Sequence, residues 1–183
     1  MSNIKIENVV ASAVISDSLD LIEISEKFDN AEYQPKKFPG LVFRTKEPKA
    51  AALIFRSGKV VCTGAKSIED VNIVVRRIAE MLREKGIKVW DEPQLVIQNI
   101  VASADLGQEL NLNAIAMSLD LENIEYEPEQ FPGLIYRMNE PKVVILLFAS
   151  GKLVCTGAKR ENQVYEAVDR LNRQLKEEDL YFY

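Results

Sequence analysis

The side chains able to do chemistry in this 183-residue chain are carboxylates, lysines, hydroxyls, amides and two thiols, because histidine is absent. Without histidine, neither a Ser-His-Asp nor a Cys-His nucleophile can be assembled, and the commonest metal ligand is missing. No HExxH, GxSxG, Walker or GxGxxG pattern occurs either. The sequence therefore gives no support for an enzyme, and it predicts neither a metal site nor a cofactor.

The two cysteines, Cys62 and Cys155, occupy matching places in two similar strand-like segments. Neither has a second cysteine or a histidine near it in the sequence. We therefore expect a buried thiol in each half of the chain, in preference to a disulfide or a metal ligand.

Charge is distributed unevenly along the chain. The formal net charge of −5 argues mildly against a nucleic-acid partner. Residues 36–66 nevertheless contain eight lysines and arginines against one acid, Glu47, whereas residues 161–183 contain six acids and three bases. A basic segment on an acidic protein can steer an anionic partner to one place, although a solvated lysine-rich face would have the same composition.

Neither a membrane span nor a signal peptide is recognisable. No apolar run approaches the ~18 residues that a spanning helix needs. The N-terminal sequence MSNIKIENVV also lacks the charged and apolar regions of a secretory signal. We expect a cytoplasmic protein with no membrane partner.

The chain contains an internal repeat. The segment FPGLVFRTKEPKAAALIFRSGKVVCTGAK at 38–66 returns as FPGLIYRMNEPKVVILLFASGKLVCTGAK at 131–159, with 19 of 29 positions identical. Upstream of these segments, NVVASA likewise returns as NIVASA. Two repeats of roughly 90 residues are too few and too long for a solenoid. We expect one continuous pseudo-dimeric unit, with repeats at 1–92 and 93–183.

Periodicity predicts the same order of elements in both repeats, five strands and two helices each, which is an α+β pattern. In the first repeat the predicted strands are 4–13, 31–34, 41–45, 50–55 and 59–63, with helices from Leu21 and from Ser67 to Gly86. In the second repeat they are 95–104, 124–127, 134–138, 143–148 and 152–156, with helices at 112–120 and 162–176.

The central strands are apolar on both faces, yet two helices per repeat can cover only one face of a sheet. The other face would be an exposed apolar surface, and such surfaces mark partner sites. This open face is predicted to be flanked by phenylalanines in two Pro-Gly loops. The residues assigned to it are Asn8, Val10, Leu53, Phe55, Lys59, Val61 and Thr63 in the first repeat, and Asn99, Val101, Leu146, Phe148, Lys152, Val154 and Thr156 in the second, with Phe38 and Phe131 in the loops.

The blocks FPGLVFRTKEPK, LIFRSGKVVCTGAK, FPGLIYRMNEPK and LLFASGKLVCTGAK, preceded by NVVASA and NIVASA, closely resemble the TATA-box-binding protein family. The resemblance covers both repeats and is stronger to the archaeal form, because the chain is acidic and has no long N-terminal extension. It implies a saddle-shaped pseudo-twofold fold, in which a curved ten-stranded antiparallel sheet carries four helices on its convex face. It also implies a general transcription factor that binds and bends the TATA element.

The same resemblance implies a role for each residue of the open face. Four phenylalanines correspond to the family's kinking wedges, namely Phe38, Phe55, Phe131 and Phe148. Base-edge contacts in the minor groove correspond to Asn8, Asn99, Thr63, Thr156, Val10, Val101, Val61, Val154, Leu53 and Leu146. Phosphate contacts correspond to Arg44, Ser57, Lys59, Arg137, Ser150 and Lys152.

Partners are also implied by the resemblance. Glu127 and Glu129 match the positions at which the family contacts transcription factor B, through which RNA polymerase joins the initiation complex. A homodimer of the free protein is a further expectation, because the open face is apolar.

Physical chemistry supports A·T selection by such a face. The minor groove of A·T pairs displays only acceptors, whereas guanine adds an amino donor. Asn8 and Asn99 can donate to those acceptors, and a valine floor would bury the guanine amino group without a partner. Such a face cannot distinguish A·T from T·A.

Two other classes of protein would also have an apolar sheet face. A small-molecule carrier would bind a lipid-like ligand and have no affinity for DNA. An adaptor would bind another protein, and its binding would not depend on A·T content. Neither class accounts for paired asparagines and threonines beside loop phenylalanines, and composition alone would favour the adaptor.

Overall fold

The computed structural model of the protein describes residues 3–119 and 123–181. Within these ranges the chain forms ten β-strands and four α-helices, as predicted for an α+β fold. In the first half they are β1 (Asn3–Val14), α1 (Leu21–Lys27), β2 (Ala31–Tyr33), β3 (Leu41–Lys46), β4 (Lys49–Ile54), β5 (Lys59–Ala65) and α2 (Ile68–Glu84). In the second half they are β6 (Leu95–Asp105), α3 (Leu112–Ser118), β7 (Ile124–Glu125), β8 (Leu134–Met138), β9 (Val143–Leu147), β10 (Lys152–Ala158) and α4 (Glu161–Glu177).

The chain divides into two compact units whose contacts are mostly internal. One unit comprises Asn8–Gln98, and the other comprises Met1–Glu7 with Asn99–Tyr183. Hydrogen bonds order the strands β2-β3-β4-β5-β1 in the first unit and β6-β10-β9-β8-β7 in the second. The strand pairs within each unit are antiparallel, as predicted. The end of the predicted helix 112–120 lies outside the described residues.

The core of the first unit lies between α2 and strands β4 and β5. The apolar stripe of α2 is buried and consists of Val71, Val74, Val75, Ile78 and Leu82, whereas Met81 beside it is half-buried. Its N-cap is Ser67, whose Oγ accepts a hydrogen bond of 2.9 Å from Asp70 N. The helix ends before Gly86, whose φ of +82° is favoured by glycine. One face of the sheet is thereby covered.

The second unit repeats this arrangement with α4 packed on β10. The side of α4 that faces the sheet is buried and carries Val164, Val168, Leu171 and Leu175. Beyond the helix, Tyr181 forms an isolated β-bridge with Leu110, and its hydroxyl hydrogen-bonds Asn172. The described part of the C-terminal tail is therefore packed against the unit.

Neither thiol takes part in a disulfide, and both are buried on the helix-covered side of the sheet. Burial raises the pKa of Cys62 and of Cys155 to about 11, so both are protonated at neutral pH. The prediction of buried thiols is confirmed. Among the helices of the described ranges, none combines the length and the apolar composition needed to cross a membrane.

Candidate functional site

The face of the sheet opposite the helices is incompletely covered. Along β5, Val60 and Cys62 are at most 1 % exposed, whereas the alternating Val61 and Thr63 remain partly accessible. Strand β4 has the same alternation, with Ile54 fully buried and Leu53 accessible. The corresponding residues of β9 and β10 follow this pattern. The structure thus places the residues predicted for the open face on the uncovered side of each unit.

Strand register arranges the open-face side chains into cross-strand rows. In the first unit Val42 pairs with Leu53, Leu53 with Val61, and Val61 with Ser12. The second unit has the equivalent row, which runs from Ile135 through Leu146 and Val154 to Ser103. Each unit therefore presents a short apolar floor that ends at a serine.

Four members of these rows were missed by the sequence prediction. Val42 and Ile135 alternate with buried neighbours on β3 and β8, so strict alternation along those strands was the signal that could have identified them. Ser12 accepts a hydrogen bond of 2.8 Å from Gln98 Nε2, and Ser103 donates one of 2.8 Å to Glu7 Oε1. These contacts satisfy the serine hydroxyls within their own units.

Asn8 is held by a bulge in the neighbouring strand. Between the pairs Ala11↔Cys62 and Val9↔Ala65, β5 contains one residue more than β1. Gly64 occupies this bulge with a φ of +94°. Its N–H donates to Asn8 Oδ1 at 2.7 Å, and Asn8 Nδ2 donates to Thr63 Oγ1 at 3.2 Å.

The second unit holds Asn99 in the same way. The strand β10 has a matching irregularity between Cys155 and Ala158, and Gly157 has a φ of +101°. Gly157 N–H donates to Asn99 Oδ1 at 2.6 Å, and Asn99 Nδ2 donates to Thr156 Oγ1 at 3.1 Å.

The glycine N–H determines which way each asparagine amide faces. A backbone N–H can only donate, so the amide atom that it contacts must be the oxygen. The amide nitrogen is therefore turned to the other side, where one of its two hydrogens bonds the threonine hydroxyl. The second amide hydrogen of Asn8 and of Asn99 is not used in any of these hydrogen bonds.

Two phenylalanine pairs lie at the loop ends of the open face. The rings of Phe38 and Phe55 pack edge-to-face with centroids 5.9 Å apart and an interplanar angle of 65°. Phe131 and Phe148 have the same separation and an angle of 68°. The loop members Phe38 and Phe131 are each 38 % exposed, so they are not core aromatics.

The arginines predicted to contact phosphates are engaged in ion pairs on the sheet edge. Arg44 Nη1 lies 3.2 Å from Glu32 Oε2, and Arg137 Nη1 lies 3.2 Å from Glu125 Oε1. All four side chains are more than half exposed. Such pairs contribute at most about 1 kcal/mol, so an anionic ligand could displace the glutamates.

Ser57 and Ser150 lie in the β4–β5 and β9–β10 turns, and Lys59 and Lys152 begin the strands that follow. Glu127 and Glu129 lie in the loop before Phe131. The side chains of Lys59 and Lys152 are exposed. Their backbone N–H groups donate to Ser57 Oγ at 3.4 Å and to Ser150 Oγ at 3.3 Å. Glu127 and Glu129 are also exposed. The backbone oxygen of Glu127 accepts a hydrogen bond of 3.0 Å from Phe131 N, which fixes the loop.

The sites carry no metal-binding chemistry among the described residues, since no three His, Cys, Asp or Glu side chains are grouped suitably for an ion. What each unit offers is a donor amide, a hydroxyl, a branched apolar floor, an aromatic pair and exposed cations. This combination suits an elongated ligand that has hydrogen-bond acceptors, apolar surface and negative charge.

Comparison with known proteins identifies relatives along almost the whole chain. The family model described as "Transcription factor TFIID (or TATA-binding protein, TBP)" matches residues 3–85 and 94–178. The TATA-box-binding protein of Archaeoglobus fulgidus is 62 % identical over 173 residues, covering 94 % of each chain. That of Thermoplasma acidophilum is 57 % identical over 173 residues with the same coverage. The solved structure of Methanococcus jannaschii TBP matches with a TM-score of 0.88 and 52 % identity, covering 96 % of this chain and 99 % of that one.

Proposed function

The chain belongs to the TATA-box-binding protein family of transcription initiation factors, and from this premise we propose that it reads A·T-rich promoter DNA in the minor groove. The open faces of both units are the proposed contact surface. The observation that supports the proposal is that the glycine N–H groups of two bulges bond the amide oxygens of Asn8 and Asn99, which leaves the amide nitrogens to act as donors.

Selection of A·T pairs follows from donors set in an apolar floor. Adenine N3 and thymine O2 are acceptors in the minor groove, so they pair with the outward amide hydrogens. A guanine amino group would instead meet Val10 or Val101, or Val61 or Val154 of the next strands. These side chains cannot accept a hydrogen bond, and a donor left buried without a partner costs about 1–3 kcal/mol.

A gel-shift titration with two duplexes tests this proposal. One duplex carries a TATAAA-like element, and in the other that element is replaced by G·C pairs. We expect the first to bind at least tenfold more tightly, since each wrong base pair costs about 1–3 kcal/mol. Equal affinity at several salt concentrations would refute A·T readout and favour an adaptor. No binding to either duplex would favour a carrier or an adaptor.

Asn99→Asp tests the donor role of the asparagine. The aspartate can still accept from Gly157 N–H and is of nearly equal size, so the fold is expected to persist. The aspartate carboxylate would place an acceptor opposite the acceptors of the minor groove and a negative charge near the phosphates, and both effects weaken binding. Binding of the TATA duplex, measured by fluorescence anisotropy, should weaken by about 1–3 kcal/mol, which is roughly fivefold to more than a hundredfold in Kd.

Asn111→Asp is the matched control for this substitution. Asn111 is the N-cap of α3, where its Oδ1 accepts from Ala114 N at 3.1 Å, and an aspartate can make the same bond. It introduces the same charge away from the open face. An equal loss of affinity in both variants would show that net charge, and not the amide donor, is responsible.

We assign the two phenylalanine pairs as wedges that unstack base steps. Partial unstacking costs a few kcal/mol per step. Burying one phenylalanine side chain returns about 1.5–3 kcal/mol, so a pair of rings roughly offsets one kink. The floor contact and the phosphate contacts of Arg44, Arg137, Lys59, Lys152, Ser57 and Ser150 then supply the net affinity. Kinking by such side chains is a general device of minor-groove proteins, and members of this family are among the standard examples.

Phe148→Ala tests the wedge assignment. The substitution removes one ring of the second pair, so the bend angle of bound DNA should fall while binding persists with a Kd raised about tenfold. Energy transfer between dyes on the two DNA ends measures the bend. Tyr165→Ala serves as the control, because that aromatic is 52 % exposed on α4. A bend that is the same in the wild type and in Phe148→Ala would rule out the wedge role.

Transcription factor B is the protein partner that we propose for the loop before Phe131. Glu127 and Glu129 give this loop two exposed carboxylates, whereas the first repeat has Gln34 and Lys36 at the matching positions. A basic surface of the partner would therefore discriminate between the two loops. RNA polymerase would join the initiation complex in the cytoplasm through this partner.

In the absence of DNA, a second copy of the chain would cover the open face.

Glu129→Lys tests the proposed partner surface. The charge reversal should abolish the supershift that transcription factor B produces on the protein–DNA complex, because like charges would then face each other across the interface. The binary complex should form normally. Glu166→Lys on α4 makes the same change elsewhere. A supershift unaffected by Glu129→Lys, or lost equally with Glu166→Lys, would disprove this assignment.

A further inference from the structure

The loop phenylalanine of each pair lies directly over a glycine. Gly40 and Gly133 are both buried, although Phe38 and Phe131 two residues earlier are exposed. A Cβ built on Gly40 would lie 2.6 Å from Phe38 Cε2 and 3.0 Å from Phe55 Cε1. At Gly133 the corresponding distances are 2.7 Å to Phe131 Cε2 and 3.0 Å to Phe148 Cε1. The missing side chain thus makes room for both rings of a pair.

Backbone conformation does not explain these two glycines. Six glycines of the described chain have a positive φ, among them Gly58 and Gly64, but Gly40 and Gly133 are not among them. Neither glycine therefore occupies the left-handed region that disfavours alanine. What an alanine could not do is occupy the space that the rings now fill.

Whether a side chain or the backbone would have to move depends on which atoms lie closest to an added methyl group. At Gly40 all three nearest atoms belong to phenylalanine rings, and at Gly133 the two nearest do, followed by the backbone oxygen of Leu147 at 3.3 Å. A ring can rotate about its side-chain bonds, so the fold can absorb the methyl group by displacing the aromatic pair. At Gly58, in contrast, a Cβ would lie 1.9 Å from the backbone oxygen of Ser16, and the backbone itself would have to shift.

We propose that Gly40 and Gly133 are positioning residues, whose lack of a side chain seats the phenylalanine pair in the orientation that enters the DNA. This inference rests on the proposed function, because it concerns the same wedges. It assigns to each glycine a role in DNA bending that is separate from fold stability. The rings contact the base steps, and the glycines act only through the rings.

The test compares Gly40→Ala, Gly133→Ala and the double variant with the wild type on the TATA duplex. We expect a smaller bend angle by end-to-end energy transfer, a Kd raised about tenfold for each single variant, and a melting temperature within about 2 °C of the wild type. The second repeat provides an independent copy of the experiment. A fall in melting temperature of about 8 °C or more in both single variants would contradict the inference, because the methyl group would then be disrupting the fold.

Replacing the loop phenylalanine by a smaller apolar residue tests whether Gly40→Ala acts through the ring. Leucine is also an apolar wedge but is smaller than phenylalanine, so it leaves room for the methyl group. We expect Gly40→Ala to change the bend and the Kd much less when it is added to Phe38→Leu than in the wild type, because only the 3.0 Å approach to Phe55 Cε1 then remains. An effect of Gly40→Ala that is equally large in the Phe38→Leu background would overturn the inference.

Gly107→Ala is the control for adding a methyl group away from any ring. Gly107 has a φ of +82° and no atom within 4 Å of its would-be Cβ, so this variant should lower the melting temperature without changing the bend. If the wild type does not bend the TATA duplex, both the proposed function and this inference fail. If the wild type bends it and Gly40→Ala and Gly133→Ala bend it equally, only the inference fails.

Discussion

Strands that are apolar on both faces, with helices for only one of them, impose the main constraint on this protein. One side of β4, β5, β9 and β10 is buried, with α2 packed on β4 and β5 and α4 packed on β10, while the alternating residues stay accessible. Covering that second side with a partner would recover about 25 cal/mol for each Å² of apolar surface removed from water. The free protein therefore retains a hydrophobic driving force for association. That force is not directional, so any selectivity must come from the few polar groups set into the face.

Backbone irregularity controls those polar groups. An extra residue in β5 turns the N–H of Gly64 toward Asn8, and β10 does the same for Asn99 through Gly157. Because this N–H is a fixed donor, it removes the amide's freedom to present either its oxygen or its nitrogen. In a regular ladder the N–H would instead be directed to the neighbouring strand's backbone. The bulge thus converts an ambiguous side chain into a donor, at the place where the proposed ligand has only acceptors.

Much of the fold could be predicted from the sequence, since the apolar periods of 2 and 3.6 residues are clear and the repeat supplies each element twice. Most of the open face followed from alternation around Val60 and Cys62. Alternation along β3 could have placed Val42 on the open face. The row that joins Val42 through Leu53 and Val61 to Ser12 was missed because it depends on strand register, which joins residues far apart in sequence. The pairing of Arg44 with Glu32 was missed for the same reason. The bulge depends on the φ angle of Gly64, and the role proposed for Gly40 depends on its contacts with two phenylalanine rings. Neither feature can be predicted from the sequence Thr-Gly or Phe-Pro-Gly alone.

The two units have nearly identical sites but different surroundings, and this difference matters for the proposed function. Ring separations agree to 0.1 Å and the asparagine hydrogen bonds to 0.1 Å between repeats. The loops beside them differ in charge, with Lys36 in one and Glu129 in the other. A minor-groove floor cannot distinguish A·T from T·A, so two matching floors carry little information about direction along the DNA. Direction must then come from groups outside the floor, where the repeats have diverged. The duplicated sheet would supply affinity and A·T selection, while the unequal loops would determine which end of the complex a second protein recognises.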